Sequence, residues 1–167
     1  GSGAGFFGRR KDHAYSLAKA ALMTLTKLLA TEGGRSGIKA NLIGPVAWTE
    51  NSAAQGIPPL MEKFAQPELI SHVVAALASE DCPVSGEMFH CGAGFVARAF
   101  VGETLGTVFT PDAMSPEGVL GRMAQIMDTA DFKTPANSDR SGAHLSASVA
   151  AANPEFAAAL AAAKADR

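Results

Sequence analysis

Ile38-Lys39-Ala40-Asn41-Leu42-Ile43-Gly44-Pro45 is the stretch on which the architecture turns. It reads as a short strand from Ile38 to Ile43, which Gly44-Pro45 ends. A helix follows from Pro67 to about Ser79, with Leu69, Ile70, Val73, Val74 and Leu77 at helical spacing and Pro67 in its first turn. Gly86 to Cys91 reads as a second strand, closed by Gly92-Ala93-Gly94. Strand, helix, strand implies a parallel sheet covered by helices. Two parallel strands alone do not make a stable sheet, so the chain either pairs with something else or is part of a larger fold.

Upstream, residues 1–8 read as a glycine-rich loop, followed by the basic run Arg9-Arg10-Lys11. Asp12 is placed to cap a helix from about His13 to about Glu32. Leu17, Ala18, Ala21, Leu22, Leu25, Leu28 and Leu29 give that helix a broad apolar face, and Gly33-Gly34 stop it. Gly3-Ala4-Gly5-Phe6-Phe7-Gly8 matches G-x-G-x-x-G in form only. No strand precedes it and no βαβ unit with an acidic partner follows, so it reads as a loop. Downstream, residues 50–66 look irregular, with Gly56, Pro58 and Pro59. They are either a substrate lid or a surface loop anchored by Trp48. Beyond Gly106 the character changes. Pro116 to about Thr129 reads as a helix and residues 133–143 as polar loop. The alanine-rich end from Asn153 is helical if ordered.

The 167 residues are enough for one domain with a core, and 47% are apolar. A formal charge of −2 argues against a nucleic-acid partner. No apolar run reaches membrane-spanning length and no secretory signal is visible. Cys82 and Cys91 lie nine apart, a spacing that matches no zinc motif. They read as ordinary thiols of a reducing cytoplasm. His13, His72, His90 and His144 are scattered, so no metal site is expected.

Tyr15 and Lys19 lie one helical turn apart and so share a face. A nearby ammonium favours the phenolate and makes a tyrosine a better proton donor or acceptor. On spacing alone the ordinary reading of such a pair is an exposed i,i+4 contact.

The surroundings change that reading. Tyr15-Ser16-Leu17-Ala18-Lys19-Ala20-Ala21-Leu22 resembles the start of the catalytic helix of the short-chain dehydrogenase/reductase family, Y-S-x-x-K-A-A-L. Ser2 lies thirteen residues before Tyr15, the family's spacing for its catalytic serine. Asn41-Leu42-Ile43-Gly44-Pro45 resembles N-x-I-x-P, and Thr49 falls where the family places a cofactor-contacting threonine. Helix 67–79 with Ser85-Gly86-Glu87-Met88-Phe89 resembles the closing helix and strand. The resemblance covers residues 1 to about 95. Gly92-Ala93-Gly94-Phe95, Gly102-Glu103-Thr104-Leu105-Gly106 and Met114-Ser115-Pro116-Glu117 are similar to the hydroxyacyl-CoA dehydrogenase domain of peroxisomal multifunctional β-oxidation enzymes and their bacterial relatives.

The resemblance implies the C-terminal part of a Rossmann-like doubly wound parallel sheet over residues 1–106, with an α-rich extension over 107–167. It implies an NAD- or NADP-dependent oxidoreductase that interconverts a secondary alcohol and a ketone on a hydroxyacyl-CoA or steroid-like substrate. Tyr15 is implied as general acid/base. Lys19 is implied to stabilise the Tyr15 phenolate and bind the nicotinamide ribose, and Ser2 to hold the substrate oxygen. Pro45, Val46, Ala47 and Thr49, with Tyr15 and Lys19, are implied as cofactor contacts. Arg9-Arg10-Lys11 is either a solvated loop or a contact for CoA phosphates. His90 reads as a satisfied, half-buried histidine rather than a catalytic one. A cytoplasmic homo-oligomer is expected, with the 13–32 helix in its interface. Val46 stands where the family usually has glycine, and the family's T-G-x-x-x-G-x-G phosphate loop, upstream asparagine and N-N-A-G segment have no counterpart here. The second reading is therefore a fragment or split subunit that serves assembly without catalysis.

Overall fold

The computed structural model describes residues 1–50, 52, 54 and 57–165. The expectation for Gly56 lies outside the described residues. The chain divides into two compact units, Gly1–Phe100 and Val101–Arg167. The boundary expected at Gly106 from sequence falls inside the second unit. No described helix is long and apolar enough to cross a membrane.

In the first unit, α1 (Gly3–Phe7) leads to the long α2 (His13–Gly33) and a short 3-10 turn, Gly34–Ser36. Then come β1 (Leu42–Val46), α3 (Met61–Phe64), α4 (Pro67–Ala78), β2 (Met88–Gly92) and β3 (Phe95–Ala99). The sheet order is β1-β2-β3. β1 and β2 run parallel, with Leu42 opposite Met88 and Pro45 opposite Cys91. β2 and β3 form an antiparallel hairpin with Gly92 opposite Phe95. The unit is thus α/β around a parallel strand pair, with α4 in the crossover as the sequence implied. Leu42, Met88 and Cys91 are buried at its centre.

Several local expectations are corrected. The first strand begins at Leu42 and not Ile38, and it runs on through Gly44 and Pro45. Residues 38–41 lie instead along the 80–87 loop. Lys39 Nζ donates to the Glu80 and Cys82 carbonyls at 2.8 and 2.6 Å. Asn41 Nδ2 donates to the Val84 carbonyl at 3.0 Å, and its Oδ1 accepts from the Glu87 amide at 3.1 Å. Pro45 is tolerated because β1 pairs on one side only among the described residues. The strand β3 was not anticipated. Its residues are largely exposed and carry no alternating pattern. The turn that creates it has Ala93 at φ 51° and Gly94 at φ 81°, the backbone of a tight hairpin. Residues 1–8 are not wholly loop, because Ser2 caps the short α1. Asp12 precedes α2 but makes no capping bond; its carboxylate takes the Arg9 guanidinium instead.

The second unit holds β4 (Glu103–Thr104), α5 (Pro116–Gly121), α6 (Met123–Ile126), β5 (Phe132–Lys133), α7 (Ser138–Ala152) and α8 (Pro154–Ala165). β4 and β5 pair antiparallel. The helix expected over 116–129 is broken at Arg122, just after Gly121. The Arg122 guanidinium turns to the Thr107 hydroxyl and the Val108 carbonyl, both at 3.3 Å. The loop expected over 133–143 is helical from Ser138, because Asn137 Oδ1 accepts the Arg140 amide and caps α7.

Candidate active site

Ser2 sits at the N-terminus of α1, where its Oγ accepts the Ala4 amide at 3.1 Å. Accepting that bond leaves the hydroxyl hydrogen to be donated elsewhere. Two glycines let α1 sit between α2 and the sheet. A Cβ on Gly5 would stand 2.8 Å from Lys19 Cβ and 2.7 Å from the Lys19 carbonyl carbon. A Cβ on Gly44 would stand 2.6 Å from the Phe6 ring and 3.3 Å from the Ser2 carbonyl carbon. The turn from Ser2 to Phe6 therefore touches both the Lys19 turn of α2 and the middle of β1.

Lys19 Nζ lies 5.4 Å from the centroid of the Tyr15 ring, so the pair shares a helix face as the spacing requires. Arg9 flanks the same ring, its guanidinium carbon 5.3 Å from the centroid. The Arg9 Nε donates to Asp12 Oδ2 at 2.8 Å. Tyr15 is 41% exposed.

A cavity of about 260 Å³ opens beside this cluster. Ser2 lines it with Pro45, Val46 and Ala47 from the C-terminal end of β1. Tyr15, Lys19 and Thr49 are not in its wall. Arg9, Ile57 and His90 are; of these, sequence reasoning gave Ile57 no site role, read His90 as a satisfied half-buried histidine, and left Arg9 between a solvated loop and a CoA-phosphate contact. His90 is half-buried, with the Phe6 and Phe95 rings edge-on at 6.4 and 6.3 Å. Its position in β2, one strand over from Gly44, was legible once the strand pairing was known. Thr49 is exposed and turned to Ser52, whose fully buried Oγ accepts the Thr49 amide and lies 3.3 Å from Thr49 Oγ1. Trp48 is anchored by its amide, which donates to the Ala65 carbonyl at 2.7 Å. Cys91, next to His90 in β2 and opposite Pro45, is buried, and burial pushes its thiol above the usual range.

The location fits the general rule that ligands of open α/β sheets bind at the carboxyl ends of the strands. A family model described as enoyl-(acyl carrier protein) reductase matches residues 2–96. The chain belongs to the short-chain dehydrogenase/reductase family. This is a family of oxidoreductases. The chain is 36% identical over 135 residues to the peroxisomal hydratase-dehydrogenase-epimerase of Saccharomyces cerevisiae, covering 78% of this chain and 15% of that protein. Among solved structures, full-length peroxisomal multifunctional enzyme type 2 from Drosophila melanogaster superposes with a TM-score of 0.73 at 25% identity, over 86% of this chain and 26% of that one. A short-chain dehydrogenase from Mycobacterium avium superposes with a TM-score of 0.56 at 30% identity, over 75% and 40% of the two chains. The chain thus spans less than half the length of each of these relatives.

Proposed function

We propose that this short-chain dehydrogenase/reductase chain supplies the proton-transfer site for NAD(P)-dependent interconversion of a secondary alcohol and a ketone, on a hydroxyacyl-CoA or steroid-like substrate. The observation that carries the reading is the seating of the Ser2 turn against both Lys19 and Gly44. It brings the Ser2 turn, the Lys19 turn of α2 and β1 together, and Ser2 with Pro45, Val46 and Ala47 lines one opening.

In this reading Ser2 donates a hydrogen bond to the substrate oxygen. That bond strengthens as negative charge builds there. Tyr15 Oη takes the hydroxyl proton in oxidation and returns it to the carbonyl oxygen in reduction. Lys19 keeps positive charge beside the phenolate and hydrogen-bonds the nicotinamide ribose. Pro45, Val46, Ala47 and Thr49 receive the nicotinamide end of NAD or NADP. The apolar strand end and the single ammonium fit that end of the cofactor. The glycine-rich stretch 3–8 does not fit the diphosphate, since α1 takes up Gly3–Phe7 and packs it against α2. The bound nicotinamide supplies the hydride acceptor or donor. The name of one relative, hydratase-dehydrogenase-epimerase, supports a dehydrogenase reaction.

One observation favours the second reading, an assembly module without catalysis. Leu17, Leu25, Leu28 and Leu29 on α2 are 47–70% exposed, an apolar face that another subunit or segment could cover. Titration with NADH and NADPH separates the two readings. Trp48, the single tryptophan, adjoins the proposed nicotinamide contacts and reports on them. Catalysis by this chain predicts a saturable change in Trp48 fluorescence that is lost in Lys19→Ala. No saturable change with either nucleotide favours the assembly reading.

A further inference from the structure

The second unit carries a cavity of its own, about 450 Å³, within the size range of small-molecule sites. One wall is a single face of α7, formed by Ser141, His144, Leu145, Ser148 and Val149. The opposite wall is β4 and the segment after it, including Leu105, Val108 and Phe109, with Met114. Most of this lining is apolar. Three polar groups of the lining, Glu103, Ser141 and His144, are joined to one another, while the Thr104 and Ser148 hydroxyls are turned to the Ile126 and His144 carbonyls. The Ser141 hydroxyl donates to Glu103 Oε1, and His144 Nδ1 lies 3.4 Å from Glu103 Oε2. The Ser141 hydroxyl holds the Glu103 carboxyl below the usual range, against an opposing desolvation and with further help from His144.

A neutral imidazole whose Nδ1–H faces a carboxylate presents Nε2 as a lone pair. The polar cluster is then made of acceptors: an ionised carboxylate and an imidazole nitrogen. Such a site attracts a donor and repels an anion. We infer that this cavity of the second unit is a binding site for a small apolar molecule with a hydroxyl or ammonium head group. The apolar body lies along Leu105, Phe109, Leu145 and Val149, and the head meets Glu103 and His144. The inference does not rest on the dehydrogenase reading, because every residue involved belongs to Val101–Arg167.

Three probes of like size test it: phenethylamine, 2-phenylethanol and phenylacetate. They are titrated into the isotopically labelled full chain and followed by NMR. The amine and the alcohol should bind saturably, with shifts centred on residues 103–109 and 141–149. Phenylacetate should bind at least about tenfold more weakly, a difference of about 1.4 kcal/mol. Glu103→Gln should abolish the preference of the site for the amine over the alcohol. Val149→Trp should fill the cavity and remove binding. Leu145→Trp at the exposed rim serves the same purpose if the first variant fails to fold. Equal binding of phenylacetate, no saturable binding of the amine or alcohol, or full binding in the filled variants would each overturn the inference.

Discussion

At the scale of single residues, the site depends on atoms that are absent. Gly5 has no side chain, and that is what brings α1 onto the Lys19 turn. Gly5→Ala places a methyl group within 3 Å of backbone and Cβ atoms of α2, where neither side can yield cheaply. Overpacking of this kind costs about 1–3 kcal/mol. The expected outcome is a lowered thermal midpoint, together with a loss of NAD(P)H affinity larger than that caused by Gly8→Ala. Gly8 has open space for a Cβ, though its φ of 77° makes that substitution strained in its own right. Comparing the two variants separates crowding at the site from backbone strain. The residues of the Tyr15–Lys19 motif and Ser2 were legible in the sequence because their order and spacing are fixed by one helix and one turn. His90 was given no catalytic role, and Arg9 was read only as part of a basic run, either a solvated loop or a CoA-phosphate contact. Their place at the cavity depends on the pairing of β1 with β2 and on the seating of α1, which no local pattern encodes.

At the scale of elements, sequence reading succeeded where periodicity and caps act locally. α2 and α4 lie within a residue of their expected bounds. It failed where tertiary bonds override the pattern. Lys39 and Asn41 draw residues 38–41 to the 80–87 loop, and so β1 starts late. β3 arises from a hairpin turn in which Ala93 holds a left-handed backbone. That conformation costs a non-glycine residue roughly 1–2 kcal/mol, and asparagine bears it better. Ala93→Asn should therefore raise stability by a fraction of that amount in urea unfolding, with an unchanged m value.

Acid should loosen α7 by a defined route. The folded Glu103 carboxyl lies below its ordinary value, chiefly through the Ser141 hydroxyl and then through His144. A lowered carboxyl stabilises the fold above its unfolded pKa, and that contribution is lost as pH falls through the folded value. Hydrogen-exchange protection over Ser138–Ala152 should hold at neutral pH and decline below about pH 4. Glu103→Gln should flatten that decline. An equal acid response in the variant would assign the effect to other groups.

At the scale of the molecule, the first unit is built around one parallel strand pair with a short hairpin strand on one side. The long α2 leaves leucines open to solvent, and only Thr26 of that helix is buried. The sequence foresaw that two parallel strands need further partners, and the short span of the chain within its relatives is consistent with that inference. Within this frame the cluster proposed for proton transfer is nonetheless held by the chain's own contacts, with Gly5 against Lys19 and Lys19 beside the Tyr15 ring.

The central claim is that Tyr15 moves the proton. Its most direct test is turnover of a hydroxyacyl-CoA with NAD(P), followed by nicotinamide absorbance, with Tyr15 in place and with Tyr15→Phe. Tyr15→Phe should lower turnover about 10²–10⁴-fold while NAD(P)H binding persists. Turnover within a few-fold of the unsubstituted protein would contradict it.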